Sequence, residues 1–139
     1  MKLNFNKAQC FSVPEKLYQL LNKELEQVEP PTANTSTITL NFRDLDYSAS
    51  LGGYHPVELR LELHEHNWQL VYITDFPFQG AASPELVKEI DICFMTKQVF
   101  NLFSGLLSNK DGKQLVTMFI NNFVEYHSMN VYQTSITFD

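Results

Sequence analysis

A strict alternation of apolar and polar residues from position 57 to position 64 constrains the fold of this chain more than any other feature. Val57, Leu59, Leu61 and Leu63 are apolar, and each is followed by a charged residue or a histidine. Because successive side chains of a β-strand point to opposite faces, this pattern predicts a strand with one buried and one solvated face. Such strands are typical of antiparallel sheets that are covered on one side only.

A second strand is predicted immediately after the first. Residues 65–67 are polar and provide a turn, and residues 68–75 are rich in aromatic and β-branched side chains, so the two strands form a hairpin. The simplest register places three apolar pairs on the buried face: Leu63 with Trp68, Leu61 with Leu70, and Leu59 with Tyr72. With this register, Asp75 lies on the opposite, polar face together with Glu58 and Arg60.

Helices are predicted on either side of a series of strands. Ser12 and Glu15 form a capping box before an apolar repeat with helical spacing, and residues 111–126 carry a broad apolar face. A short helix is predicted over residues 83–89, and further strands over residues 37–43, 90–94, 98–103 and 131–138. This order predicts one α+β domain over residues 1–139, with a single antiparallel sheet of about five to six strands and two main helices packed on one face.

The charge of the chain argues against nucleic-acid binding, because the net charge is −6 and no basic stripe is present. The first residues lack the apolar core of a signal peptide, and no segment approaches the ~20 apolar residues that span a bilayer. The spacing of Cys10 and Cys93 matches neither a disulfide framework nor a zinc site. We therefore expect a cytoplasmic protein without a membrane segment, cofactor or metal; its partner is unknown, and a protein is one candidate.

Reactive side chains concentrate in residues 43–60 and at the end of the second hairpin strand. The candidate binding residues are Arg43, Asp44, Tyr54, His55, Glu58, Arg60 and Asp75. In a functional interpretation, the Gly52-Gly53 pair permits a tight turn, and Arg43 and His55 contact a ligand. In a structural interpretation, Asp44 caps a turn, the glycines supply positive φ, and Arg43 pairs with a carboxylate. If the strands adjoin, Arg43 would also join a polar cluster with Glu58, Arg60 and Asp75, which a salt-bridge network on a solvated face explains equally well.

No sequence pattern identifies a catalytic or metal centre. A nucleophile elbow is absent, the Gly52-Gly53 pair lacks the context of a phosphate loop, and His64 and His66 alone are too few ligands for a metal. No catalytic or metal-binding residue is therefore predicted.

Two classes of function stay open. The favoured one is a non-enzymatic binding or accessory module that uses the polar sheet face and the Gly-Gly loop. The alternative is a small hydrolase with Asp/Glu/His acid–base chemistry within residues 43–75. A deep pocket lined by His55, Glu58 and Asp75 would favour the hydrolase, and a flat, exposed polar sheet would favour the module.

Two segments of the chain resemble a known family. The first runs from Asn41 to Glu62 and contains the core Gly-Gly-Tyr-His-Pro-Val-Glu-Leu-Arg; the second runs from Tyr72 to Phe76 and is followed by residues 84–91. They resemble domain-of-unknown-function family 2787, short uncharacterised proteins mainly of marine gammaproteobacteria, and the resemblance extends over nearly the whole chain. It implies a single-domain protein without an assigned activity, cofactor or partner, and it carries over no catalytic residue.

Overall fold

Seven strands form the main antiparallel sheet, more than the five to six expected, and two helices accompany it. The computed structural model of the protein describes residues 1–139. Its elements in chain order are α1 (Glu15–Glu26), β1 (Thr37–Arg43), β2 (Val57–His64), β3 (Asn67–Asp75), β4 (Phe78–Gln79), β5 (Glu85–Leu86), β6 (Ile90–Cys93), β7 (Gln98–Asn101), β8 (Gly105–Leu106), α2 (Asn109–Ser128) and β9 (Gln133–Phe138). The α+β class is confirmed; β8 is the strand of the main sheet that was not predicted, and the short strands β4 and β5 were not predicted either.

The strands of the main sheet follow the order β8-β7-β6-β3-β2-β1-β9, and every neighbouring pair is antiparallel. Strands β1, β2 and β3 are therefore consecutive in space as well as in sequence. The last strand, β9, returns from α2 to pair with β1 at one edge. Strands β4 and β5 form a separate two-stranded ribbon that extends from the end of β3.

Both helices pack on one face of the sheet, as the sequence predicts. The 22 buried apolar residues form a single cluster, in which Leu21 of α1 and Ile120 of α2 join alternate residues of the central strands. Ile38 in β1 and Leu59 and Leu61 in β2 are completely buried. Hydrophobic burial on this one face explains the alternation in the sequence.

The predicted capping box of the first helix is wrong. The residue before α1 is Pro14, whose side chain makes no capping hydrogen bond, and Glu15 instead forms an ion pair with Lys7 at 2.7 Å. The second helix has a true side-chain cap, since the hydroxyl of Ser108 accepts a hydrogen bond from the backbone N–H of Asp111. Neither helix combines the length and the hydrophobicity that a membrane span requires.

A β-bulge in the hairpin changes the predicted register. The two pairs nearest the turn are as predicted, Leu63 with Trp68 and Leu61 with Leu70. The next pair, however, joins Arg60 to Tyr72, which leaves Val71 as an extra residue on β3. Leu59 consequently lies opposite Ile73, and the predicted pairing of Leu59 with Tyr72 is wrong.

The bulge reverses the faces of the last residues of β3. A shift of one residue exchanges the two faces of a strand, so Ile73 enters the core and Tyr72 moves to the polar face. Asp75 lies opposite Val57, on the side that the helices cover, and it is only 5% exposed. The prediction that Asp75 shares a face with Glu58 and Arg60 is therefore wrong.

The short helix predicted over residues 83–89 is absent. Glu85 and Leu86 form β5 and pair with β4, and the backbone N–H of Glu89 donates a hydrogen bond to the carbonyl of Asp75 at 3.2 Å. The backbone of this segment thus bonds to the last residue of β3 and to β4, and not to its own preceding turn. Tertiary pairing outweighs the local helix-start signal of Pro84.

Candidate functional site

The loop between β1 and β2 is an ordered turn held by the carboxylate of Asp44. That carboxylate accepts hydrogen bonds from the backbone N–H groups of Asp46 and Tyr54, each at 3.0 Å. Gly52 and Gly53 both have positive φ, at +75° and +131°. These features agree with the structural interpretation of the loop. Arg43 departs from it, because its Nε donates to the Asn41 side chain at 3.2 Å and no carboxylate pairs with it.

The two glycines of the loop should respond differently to substitution. A Cβ on Gly53 would lie 2.9 Å from a carboxylate oxygen of Asp44 and 3.0 Å from Cα of Tyr47, whereas a Cβ on Gly52 would meet nothing within 4 Å. Gly53→Ala should therefore lower the free energy of unfolding by about 2 kcal/mol, and Gly52→Ala by about 1 kcal/mol from its backbone conformation alone. Chemical denaturation of the two variants checks this, and a larger loss for Gly52→Ala would contradict it.

A cleft of about 320 Å³ opens between this loop, the start of β2, the end of β3 and helix α2. Its volume lies at the low end of the range of about 300–1,000 Å³ for small-molecule sites. Most of the residues around it are apolar or aromatic. The walls are formed by Gly53, Tyr54, Val57, Ile90, Met118, Phe119, Phe123, Tyr126 and Tyr132, and the remaining polar residues are His55, Asp75 and Asn122.

A hydrogen-bonded pair of His55 and Asp75 lies at the base of the cleft. Nδ1 of His55 is 3.0 Å from Oδ2 of Asp75, so this nitrogen carries the proton and donates it to the carboxylate. The other oxygen, Oδ1, accepts a hydrogen bond from the backbone N–H of Ile90 at 2.8 Å. The ring of Tyr47 packs beside the imidazole at 5.3 Å between centroids. The carboxylate is therefore fixed in the protein interior while the imidazole, 39% exposed, stays accessible.

The pair with Asp75 changes the titration of His55. The hydrogen bond to Asp75 raises the pKa of His55 above 6.5, burial lowers it, and the negative charges of Asp75 and Glu89 raise it further. We expect His55 to titrate above pH 6.5 in NMR spectra of the wild type and at a lower pH in Asp75→Asn.

Stability should follow the same titration. Because folding raises this pKa, protonated His55 stabilises the folded state fully below about pH 6.5, and the contribution is lost as the pH rises through the raised value. The melting temperature of the wild type should therefore fall as the pH rises from about 6.5 through the raised pKa of His55. This fall should be absent from Asp75→Asn. Equal titration of His55 in both proteins would show that the carboxylate does not act on it.

Three tyrosines form one wall of the cleft. The ring of Tyr54 lies 4.7 Å from that of Tyr126 and 6.5 Å from that of Tyr132, between centroids. Burial raises the pKa of Tyr132 far above its ordinary value, with smaller contributions from Tyr126 and Tyr54, so its hydroxyl stays protonated. Tyr126 and Tyr132 were not among the residues predicted from the sequence. One signal was available, since Phe119, Phe123 and Tyr126 follow helical spacing and share a face of α2.

Asp44 lies in the loop beside the cleft, whereas the candidates Arg43, Glu58 and Arg60 lie on the open face of the sheet, away from the cleft. Glu58 accepts a hydrogen bond from the hydroxyl of Tyr72 at 2.6 Å and one from Asn41 at 3.5 Å. Burial, together with this bond to Glu58, raises the pKa of Tyr72 to about 12. Nε of Arg60 lies 4.0 Å from Glu62. The predicted cluster of Arg43, Glu58, Arg60 and Asp75 does not form, because the sheet separates Asp75 from the other three.

Two residues at the base of the cleft, His55 and Asp75, and the neighbouring Glu89 are placed so that they could hold a metal ion. One ligand atom from each of His55, Asp75 and Glu89 lies within 4.8 Å of the others. Three protein ligands are the minimum for a typical site, and hydrogen bonds to the ligands usually orient them, as Ile90 does here for Asp75. A metal at this position would have to displace the hydrogen bond between His55 and Asp75. His64 and His66 are not part of such a group of three ligands, and His64 contacts Glu62 at 3.4 Å.

The cleft lacks the commonest side-chain nucleophiles. No serine, threonine, cysteine or lysine lines it. The pairing of His55 through Nδ1 leaves Nε2 free to contact a bound molecule, as an acceptor when the ring is neutral and a donor when it is protonated. The arrangement can therefore bind and orient a polar group, and any proton transfer would act on water or on the bound molecule itself.

Comparison with known proteins places the chain among proteins without an assigned activity. A family model described as "Protein of unknown function (DUF2787)" matches residues 15–137. The structure is similar to that of the hypothetical protein VC0508 from the VSP-II pathogenicity island of Vibrio cholerae, with a TM-score of 0.91, 34% identity, and coverage of 99% of this chain and 100% of that one.

A second similar structure is the conserved hypothetical protein VC1805 from pathogenicity island VPI-2 of Vibrio cholerae, which shares structural homology with the human P32 protein. Its TM-score is 0.79 at 30% identity, with coverage of 94% of this chain and 98% of that one. No curated protein matches the chain significantly.

Proposed function

This chain belongs to the DUF2787 family, whose function is unknown, and we propose that it is a non-enzymatic binding module for a small molecule. The cleft between the Gly-Gly loop and α2 is the binding site. The sequence predicted a site formed by the Gly-Gly loop and the polar sheet face. We keep the loop but not the sheet face, because Glu58 there already bonds to Tyr72 and Asn41.

One observation carries the proposal: apolar and aromatic walls enclose a base at which a few polar groups converge. Tyr54, Phe119 and Tyr126 supply apolar surface that a ligand would remove from water, and burial of such surface stabilises a complex by about 25 cal/mol per Å² before the costs of association. His55 and Asn122 supply hydrogen bonds that fix the orientation of a bound molecule. This combination is typical of small-molecule sites.

A binding experiment with a paired control tests the proposal. Asn122 lines the cleft and Asn121 does not, although both are exposed neighbours on α2. Asn122→Trp should fill the mouth of the cleft, and Asn121→Trp adds the same side chain to open solvent. Benzyl alcohol, a small neutral aromatic probe, should bind the wild type with about millimolar affinity in saturation-transfer NMR.

We expect the benzyl alcohol signal to disappear in Asn122→Trp and to persist in Asn121→Trp, while both variants melt like the wild type. A signal that is absent from the wild type, or that is equal in both variants, would refute the cleft as a binding site. Melting curves separate this result from a folding defect.

The hydrogen bond between His55 and Asp75 favours a second candidate, the small hydrolase. An aspartate bonded to Nδ1 leaves Nε2 of His55 able to accept a proton from water. A screen of esters, amides and phosphate esters tests this candidate. Turnover that is present in the wild type and abolished in Asp75→Asn would support the hydrolase and overturn the non-enzymatic proposal.

The proposal also treats residues 1–139 as one domain that works in the cytoplasm. The single cluster of 22 buried residues, to which both helices and the central strands contribute, supports one folding unit. The two cysteines are free thiols, which suits a reducing compartment.

A further inference from the structure

We infer that the molecule bound in the cleft is an organic cation, a protonated amine attached to an aromatic or other apolar body. This inference rests on the proposed binding function and adds the chemical class of the ligand. It follows from the charges at the base of the cleft, from one carboxylate without a hydrogen bond, and from the aromatic walls.

The charged groups around the cleft leave a net negative charge. Asp75 and Glu89 flank His55, with the shortest distances to its Nδ1 at 3.0 and 3.8 Å. Even a protonated imidazole balances only one of these two carboxylates, so the net charge of the three side chains is −1 or −2. No lysine or arginine lines the cleft. Asp44 adds a further negative charge near Tyr132.

The carboxylate of Glu89 accepts no hydrogen bond within the protein. Glu89 does not itself line the cleft but lies beside His55, which does. Its side chain is 23% exposed, and the 3.8 Å from its Oε2 to His55 Nδ1 is beyond the length of a good hydrogen bond. Asp75, in contrast, is engaged by both His55 and Ile90. Glu89 is therefore the carboxylate that is free to accept a charge-assisted hydrogen bond from an ammonium group.

The aromatic wall also favours a cation. The faces of tyrosine rings carry negative electrostatic potential, and they attract a cation that lies within about 6 Å of the ring centroid. Tyr54, Tyr126 and Tyr132 present such rings along one wall. An anionic ligand would lose its hydration and meet two carboxylates, so the same site disfavours it.

Three probes of nearly equal size and different charge test the inference: benzylamine, benzyl alcohol and benzoate. Binding is measured by saturation-transfer NMR at neutral pH, with a chelator present so that metal ions do not contribute. Benzylamine should bind the wild type about tenfold more tightly than benzyl alcohol, because its ammonium group adds a charge-assisted hydrogen bond. Benzoate should bind least tightly.

A matched pair of variants shows whether the charge acts locally. Glu89→Gln and Glu85→Gln change the net charge of the protein equally, but Glu89 lies 3.8 Å from His55 of the cleft, whereas Glu85 is an exposed residue of β5. Glu89→Gln should reduce the affinity for benzylamine several-fold and leave that for benzyl alcohol unchanged. Glu85→Gln should change neither affinity.

The possible outcomes distinguish failure of this inference from failure of the proposed function. The inference that the ligand is a cation would be wrong if benzylamine and benzyl alcohol bound equally, if benzoate bound more tightly, or if the two glutamine variants had equal effects. The cleft would still be a binding site in each of these cases. Failure of all three probes to bind the wild type would overturn the proposed function, and the inference with it.

Discussion

Leu61→Ala is expected to lower the free energy of unfolding by about 2–5 kcal/mol, the range measured for large-to-small substitutions in protein cores. Leu61 is completely buried under the helices and lies opposite Leu70, immediately beside the bulge in β3. Removing its side chain forfeits buried apolar surface and leaves a cavity that the surrounding sheet can fill only in part. Chemical denaturation monitored by circular dichroism measures the loss.

Glu62→Ala is the matched control, because Glu62 is the next residue of β2 and its side chain points to the open face. Its side chain is 32% exposed, and its polar contacts are with the exposed His64 at 3.4 Å and with Arg60 Nε at 4.0 Å. A surface substitution of this kind should change stability by no more than about 0.5 kcal/mol. Similar losses in the two variants would mean that the faces of the central hairpin are assigned wrongly.

Asp75→Ala should lower the free energy of unfolding by about 3 kcal/mol, since hydrogen bonds to a charged acceptor contribute about 1.5–3 kcal/mol each and solvent weakens the one to His55. The buried carboxylate accepts from both Ile90 and His55. Removing it would leave the backbone N–H of Ile90 without a partner. Denaturant titration at neutral pH gives the value.

Glu58→Ala is the comparison for this variant, because the sequence pattern alone places Glu58 and Asp75 on the same face. In the structure, Glu58 lies on the open face and is held by Tyr72 and Asn41. Its loss should cost about 1 kcal/mol, since its partners can turn to water. If Glu58→Ala proved as damaging as Asp75→Ala, the position of Asp75 on the helix-covered face would be in question.

The alternation of residues 57–64 was sufficient to predict the central hairpin and its buried face. Ile38, Leu40 and Phe42 repeat the same pattern in β1, and all are completely buried. Local periodicity succeeds here because each strand has one face against the helices and one against solvent. The helix-covered α+β sheet could therefore be predicted from pattern alone.

The bulge could not be predicted, because nothing in the composition marks Val71 as the extra residue. Leu70, Val71 and Tyr72 all favour strands, so either register satisfies local preference. Packing decides between them: the bulge buries Ile73 completely and lets the hydroxyl of Tyr72 reach Glu58 at 2.6 Å. The same shift brings Asp75 to His55, which is why the polar pair was missed.

The cleft depends on residues that are distant in sequence. Its base comes from His55, Asp75 and the backbone of Ile90, and its wall from Tyr126 of α2 and Tyr132 beyond it. Periodicity predicts which face of a helix is apolar, but it does not predict where two packed elements leave space between them. Tyr54, His55 and Asp75 were singled out from the sequence, while the pairing of His55 with Asp75 and the contribution of Tyr126 and Tyr132 emerged only from the tertiary structure.

The most direct test of the cleft as the binding site is an amide chemical-shift map. Uniformly ¹⁵N-labelled protein would be titrated with benzylamine, and the shift of each backbone amide followed. The account predicts the largest changes at the residues that surround the cleft, Gly53, His55 and Asn122, with Glu58 and Arg60 on the open face unaffected. Largest changes on the open face, or no changes at all, would contradict it.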